Sequence, residues 1–399
     1  MKRKLYYAIS VLLVSFSLIM PFQSIKAIPA FARKYQISCQ VCHSPVARLK
    51  PFGDTFASNG YRLTQYESPR YYIPVGDDKL SLLRELPLAV RFDGIVSADF
   101  RNNGKVDFGM PLVFKLMSGG ELSDKLSYYF YFLMSEAGNI VGIEDAFLMY
   151  HDLFGTGVNL TLGQFQVCDP LYKRENRLTL EDARILTVVP GNSTASLTYD
   201  RGIMFDYEIP KLKTQFVVEI LNGSGIGSAG EELLFDKDNS KNVMGILFQP
   251  IGKSLKLGVF GYSGWEQNPD PSVTSVFNNH ARIFGPSLNL NIDEKLLVNI
   301  QFAKRFDSRV YLKDENIIAG NILTQGGFAE IIYCPKGDRS KWYLTSLLNW
   351  IKSDLPDLDY KSATIHAGYV FRRNVRLFSE YTIFSGGDGK LSLGFVSAF

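Results

Sequence analysis

Cys39-Gln40-Val41-Cys42-His43 gathers the side chains best suited to chemistry in this chain. Two thiols three positions apart, followed at once by an imidazole, have a specific use. At that spacing a short peptide can add both sulfurs to a porphyrin edge and set the next residue beneath the iron. On this reading Cys39 and Cys42 hold one covalent c-type haem, and His43 is the proximal iron ligand. The competing reading is a thioredoxin-like redox pair, which requires a βαβ frame that the flanking sequence lacks.

The iron's sixth ligand is not supplied nearby. Between residues 28 and 83, His43 is the only His and there is no Met. Met110, Met117, Met134, Met149, His151, Met204, Met244, His280 and His366 are the candidates further along. A vacant or weakly held sixth position is the alternative, open to inner-sphere ligand chemistry. No catalytic residue beyond this set is assigned. Cys168 and Cys334 are left over and read as free packing residues rather than a disulfide.

These residues must be positioned by the rest of the chain. Lys2, Arg3 and Lys4 precede an apolar run from Leu5 to about Phe22, and Ala27 offers a cleavage position. Residues 1–27 therefore read as a secretory signal peptide, with an uncleaved anchor helix as the alternative. Residues 28–83 are too few for a sizeable core of their own, so a haem and a neighbouring wall must supply apolar contacts. A net charge of +3 with 21% charged residues points to neither a nucleic-acid partner nor a polybasic membrane anchor. Aromatic residues at 13% suit two interfacial girdles.

After the signal no apolar stretch approaches the ~18 residues a spanning helix needs, so a membrane-crossing chain must close into a barrel. Period-two alternation recurs, as in Leu255, Leu257 and Val259 against Lys256, Gly258 and Phe260. It places strands near 84–101, 107–119, 125–135, 141–154, 157–167, 194–208, 212–223 and 241–250. The second half gives 253–266, 278–292, 295–308, 318–334, 340–353, 360–373, 375–387 and 390–399. The expectation is an all-β, antiparallel transmembrane barrel of about sixteen strands over residues 84–399, an even number as bacterial barrels have. A soluble sandwich or propeller would share the alternation. It would not share the alternation of tight turns (155–157, 209–211, 250–252, 292–294, 373–374) with longer connections (168–193, 224–240, 267–277, 309–317, 354–359). The last strand ends in Phe399, as closing strands of outer-membrane barrels do.

Gly225-Ile226-Gly227-Ser228-Ala229-Gly230 matches a dinucleotide fingerprint, but an alternating strand precedes it and no full helix follows, so it reads as an external loop. The charged stretch 169–184, with Lys173, Arg174, Glu175, Arg177, Glu181, Asp182 and Arg184, is either a short helix folded into the pore or a solvated loop.

Pro29, Phe31, Ala32, Arg33, then the haem pentapeptide, then Pro51, Phe52, Gly53, Gly60 and Tyr61 follow one another in a recognisable order. This segment of about thirty-five residues resembles the fused monohaem cytochrome–porin family of outer-membrane iron oxidases. Ser44 and Asp54 depart from that pattern, which has Thr and a basic residue there. The resemblance implies a haem c segment at 28–83 that plugs a porin-like barrel at 84–399 in the outer membrane. It also implies electron transfer from extracellular Fe(II) to a periplasmic cytochrome, an oxidoreductase activity. Export to an extracellular acceptor, and a passive porin with a structural haem, are the alternatives. Acid in the outward connections (Glu231, Glu232, Asp236, Asp238, Asp270, Asp314, Glu315, Asp354, Asp357, Asp359) could gather cations.

Overall fold

A computed structural model describes residues 30–399 except Val46, 64–71, 74–75, 77–81, 84–85, Glu231, Lys237 and 270–275. The signal sequence and Pro29 lie outside the described residues. Sixteen strands close into one antiparallel barrel, each paired to the next in sequence and the last to the first. They are β1 (Leu88–Asp99), β2 (Lys105–Ser123), β3 (Leu126–Glu136), β4 (Gly142–Tyr150), β5 (Asn159–Gln166), β6 (Tyr199–Glu208), β7 (Gln215–Leu221) and β8 (Asn242–Ile251). The series continues as β9 (Leu255–Pro269), β10 (Val276–Ile292), β11 (Leu296–Leu312), β12 (Ile317–Tyr333), β13 (Trp342–Ser353), β14 (Tyr360–Arg372), β15 (Val375–Phe384) and β16 (Gly389–Ala398).

The alternation in the sequence becomes an inside-out distribution of polarity. On β13, Trp342, Leu344, Leu348 and Trp350 are exposed while Tyr343, Thr345, Leu347 and Asn349 are buried. On β7, Phe216, Val218 and Ile220 face out while Val217, Glu219 and Leu221 face in. Glu219, Asn242, Asn279, Glu330, His366 and Glu380 are all buried. A soluble sheet puts its apolar face inward. An exposed apolar wall around buried carboxylates is stable only when the wall meets lipid, and this excludes the sandwich and propeller. No described helix is long and apolar enough to cross a membrane. Tyr333, Trp342 and Tyr369 form an outward aromatic row at one rim, with Trp342 and Tyr369 in register.

Each expected strand is present, and the differences at their ends have physical causes. The connections expected at 267–277 and 309–317 shrink because β9 runs on to Pro269 and β11 and β12 reach Leu312 and Ile317. The contrast between the two rims therefore rests mainly on 167–198 and 222–241. The strand expected from 194 begins at Tyr199, since Thr194 and Ala195 donate their amides to Glu266 inside the barrel.

The stretch 167–198 folds into the lumen. Of the two readings offered for 169–184, a short helix in the pore or a solvated loop, neither holds in full: the stretch enters the lumen but carries only two single 3-10 turns, Arg174–Asn176 and Arg184–Leu186. Tyr172 donates its hydroxyl to Glu330, at 2.9 Å, and packs on Phe328. Leu180 and Glu181 donate amides to Glu380, and Arg184 donates its amide to Asn349. Val167, Cys168, Leu171, Ile185, Leu186 and Leu197 make a buried cluster with inward Phe248, Phe260, Ile283, Phe328 and Leu347. The loop thus supplies the apolar partner that these inward wall residues would otherwise lack. Nearer β3–β6, Glu175 bonds Lys115, Tyr131 and Tyr199.

Arg305 locks the far side, donating to Ala195 O (2.7 Å), Ser193 Oγ and Asp307 while both charged partners are buried. Arg305→Leu leaves Asp307 buried without its cation, so the barrel is expected to lose about 3–5 kcal/mol. A lower urea midpoint in a heat-modifiability assay checks this; an unchanged midpoint refutes it. Elsewhere the carbonyls of Gly225, Ile226 and Gly227 accept from the Arg201 guanidinium. A phosphate cradle would present amides instead, so the external-loop reading of this Gly-rich run stands.

Candidate functional site

The pentapeptide is built as one tight coil. Ser38 caps the 3-10 turn Cys39–Val41 through its hydroxyl, and the Cys39 carbonyl accepts from both Cys42 N (3.2 Å) and His43 N (2.9 Å). The chain then doubles back: His43 pairs with Leu49, and Lys50 N donates to Cys42 O at 2.8 Å. Two short helices flank this hairpin, α1 (Ala30–Tyr35) and α2 (Pro51–Ser58), the second opened by Pro51 in its first turn. Gly53 on α2 has a steric reason. A Cβ there would lie 2.4 Å from Cys42 O, so only glycine lets the helix close on the pentapeptide. On the haem reading of the pentapeptide, Gly53→Val is expected to push α2 off the turn and leave most of the protein without covalent haem, read by haem-stained gels. Native haem content in that variant would refute the packing argument.

The other residues that carry the family resemblance also find roles. Phe31 stacks on Tyr61 (4.8 Å between ring centroids), and Tyr61 stacks on Tyr129 of β3 (4.7 Å). Arg33 donates to Leu88 O at the start of β1. Gly60, at φ +64°, has no room for a side chain, because a Cβ would sit 1.9 Å from Ser127 Oγ.

The segment reaches across the barrel's short-turn rim. Gln40 Nε2 donates to Asp338 O, and Lys50 Nζ lies 3.3 Å from Glu294 and 3.5 Å from Asp338, in the turns joining β10–β11 and β12–β13. Ala47 packs against Leu178, Leu297, Ile332, Cys334 and Tyr343, and Arg48 approaches Glu330 at 4.0 Å. On the opposite side Arg62 donates to Asp124 O in the β2–β3 turn. Lys50 and Tyr129 are partners that sequence reasoning did not single out, because their roles exist only once distant turns meet.

Cys39 and Cys42 are free, half-buried thiols. Burial raises both, and Cys39 adds to the effect at Cys42, which is pushed up to about 11. An activated redox cysteine is tuned the other way, so the thioredoxin-like reading loses support. Burial pulls His43 down, keeping its imidazole neutral, and Nδ1 is buried without a hydrogen-bond partner. Two neutral thiols and a neutral imidazole with a nitrogen to spare form a donor set that fits a covalently held haem. Cys39 and Cys42 would hold it, His43 would ligate its iron, and the group would supply one-electron chemistry.

The sixth-ligand candidates scatter. Met110 is exposed on the outer wall, and His280 stacks on exposed Trp265, so both face away from the lumen. Met117 and Met134 are half-buried on β2 and β3. His151 bonds Ser127 beneath Gly60, and Met149 is the register partner of Ser127. Met204 and Met244 join the apolar cluster beneath the inner loop. His366 stands next to the cluster against which Ala47 packs, since Tyr343 of that cluster lies with its hydroxyl 3.2 Å from His366 Nε2. Its Nδ1 already meets Glu380 at 2.9 Å. Cys168 and Cys334 are free and buried in separate clusters.

Much of the outward acid is engaged locally. Asp236 pairs with Lys241, Asp238 accepts from Gln267 N, Asp354 from Leu323 N, and Asp359 from Lys352 and Ser353 N. These carboxylates hold loops, which weakens the cation-gathering reading; Glu231 and Asp270 lie outside the described residues. Among the described residues no group of three or more His, Cys, Asp or Glu is placed to hold a metal ion.

No family model matches this chain, and no curated protein does. Solved structures do. The chain is similar to Salmonella typhi OmpF in complex with daunomycin, at TM-score 0.57 and 12% identity over 78% of this chain and 97% of that one. It is also similar to an anion-selective porin from Comamonas acidovorans (0.53, 11%, 78% and 98%). The outer membrane channel DcaP of Acinetobacter baumannii is a third (0.53, 12%, 78% and 96%). At such identities the likeness is one of fold: residues 88–398 form a porin-like outer-membrane β-barrel.

Proposed function

We propose that this chain is an outer-membrane cytochrome–porin that moves electrons across the outer membrane. It takes them from extracellular Fe(II) and passes them to a periplasmic electron-carrier cytochrome. One observation carries the reading: Cys39, Cys42 and His43 form a haem-competent turn docked on the short-turn rim of a membrane barrel through Gln40, Lys50 and Arg48. The short turns, the start of β1 and the end of β16 share one rim, and in porin-like barrels that rim faces the periplasm. Residues 30–63 then act as a plug within reach of a soluble partner.

One haem cannot bridge an apolar band ~25 Å tall, so the donor must descend into the lumen. The inner loop, packed on the inner wall, and the plug narrow that lumen, which favours electron transfer over passive transport of larger solutes. Stopped-flow mixing of the purified, haem-loaded protein with Fe(II) tests the proposal. Haem reduction within seconds is the expected result, and a haem left oxidised by excess Fe(II) but reduced by dithionite overturns the assignment of donor.

A further inference from the structure

Met204 and Met244, both raised as haem ligands from the sequence, stand elsewhere and together. Met204 of β6 is the register partner of Glu219 on β7, and Glu219 is the register partner of Met244 on β8. Directly opposed residues share a face of the sheet. Glu219 and Met244 are both 0% exposed, so that face is the inner one. Met204 packs against the buried cluster that contains Met244 and Cys168. The rung continues through Thr161, partner of Met204, to Met149. Read across five strands it is Met149, Thr161, Met204, Glu219, Met244, in which thioethers alternate with oxygens.

Neither carboxylate oxygen of Glu219 has a hydrogen-bond partner, and Thr161 Oγ1 has none either. A fully buried carboxylate without a donor requires another explanation for its retention. Neighbouring strands are ~4.8 Å apart, so the backbones of Met204 and Met244 lie roughly 10 Å from each other, with Glu219 between them on the same face. Two soft sulfurs facing each other across one hard carboxylate select a soft d10 ion over Fe(II), Mg(II) or Ca(II). Charge argues the same way. One carboxylate neutralises one monovalent cation, leaving the buried site uncharged.

We propose that Met204, Glu219 and Met244 form an inner-wall binding site for a soft monovalent cation of the Cu(I) class. The site does not depend on the haem reading, because Met204, Glu219 and Met244 lie on β6–β8, in a different part of the structure from Cys39 and Cys42.

The test uses full-length, haem-loaded protein in detergent under anaerobic conditions, titrated with Cu(I) against a chromophoric Cu(I) chelator. The native chain is expected to hold one Cu(I) per molecule, with Ag(I) competing and Fe(II) and Zn(II) failing to compete. Met204→Leu and Met244→Leu conserve volume, and each is expected to weaken binding at least tenfold; the double variant is expected to abolish it. Glu219→Gln keeps the shape and is expected to weaken binding less. Heat-modifiable migration on gels confirms that each variant barrel is closed. Absence of stoichiometric Cu(I) in the native protein overturns the proposal and leaves Glu219 as a neutral buried acid. So does native affinity in the double leucine variant, or loss of binding in Cys168→Ser alone, which would make the ligand a thiol.

Discussion

Replacing Cys39 and Cys42 together by serine is expected to give a barrel that assembles normally, carries no covalent haem and is not reduced by Fe(II). The separation follows from which contacts use the thiols. Docking of the segment rests on Tyr61 against Tyr129, Arg33 on Leu88 O, and Lys50 between Glu294 and Asp338. None of these involves a sulfur. The sixteen strands close on their own register, β16 on β1. Haem-stained gels and mass spectrometry read the attachment, and heat-modifiable migration reads the barrel. Electron transfer from Fe(II) to a soluble cytochrome should fall by roughly a hundredfold or more, since the variant removes the only carrier the route has. His43→Ala separates attachment from ligation. Both thioether bonds are expected to form, while the iron loses its proximal ligand and the absorption spectrum changes. A serine variant that still delivers electrons at the native rate would refute the route through this turn.

How far such results were foreseeable from the amino acids depends on the range of the interaction involved. The strands were legible because period-two alternation is local: Phe216, Val218 and Ile220 announce an outer face, and Glu219 announces an inner one. The pentapeptide was legible because its chemistry lies within five residues. What stayed hidden depends on contacts between distant segments. That the stretch after Cys168 turns inward is decided by Glu266, Arg305 and Glu380, which lie far along the chain; the two carboxylates accept from backbone amides of the loop and the guanidinium donates to a loop carbonyl. The charged stretch 169–184 looked helical or solvated. Its ion pairs instead close mostly within the stretch, Lys173 with Asp169, Arg174 with Asp182 and Arg184 with Glu181, while Glu175 and the amides of Leu180, Glu181 and Arg184 bond the barrel wall, so no regular helix is needed to hold it. Gly53 read as part of a motif; its meaning, clearance for Cys42 O, appears only when α2 closes on the turn. The register that aligns Met204, Glu219 and Met244 is likewise absent from sequence, because it depends on how much of 209–214 and 222–241 is spent in turns.

Cutting both anchors of the inner loop, Glu266→Ala with Glu380→Ala, is expected to convert an obstructed barrel into a flickering channel. Glu266 accepts from Thr194 N (2.9 Å) and Ala195 N (3.1 Å), and Glu380 from Leu180 N (2.8 Å) and Glu181 N (3.2 Å). Hydrogen bonds to a charged group contribute about 1.5–3 kcal/mol each. A net loss of even ~3 kcal/mol changes a closed-to-open ratio by about a hundredfold. The loop does not leave altogether, because Leu171, Ile185, Leu186 and Leu197 remain packed against Phe260, Ile283 and Phe328. Brief openings on a closed baseline are therefore expected in planar bilayers, with mean conductance up by about tenfold, rather than the permanent opening of a wide pore. The native chain is the control that matters for function. If it already shows steady, salt-dependent conductance of porin size, the inner loop and plug do not obstruct the lumen, and passive transport displaces electron transfer as the better reading. If it stays closed and only the double variant flickers, the loop is a structural filling of the barrel held by its bonds to Glu266 and Glu380.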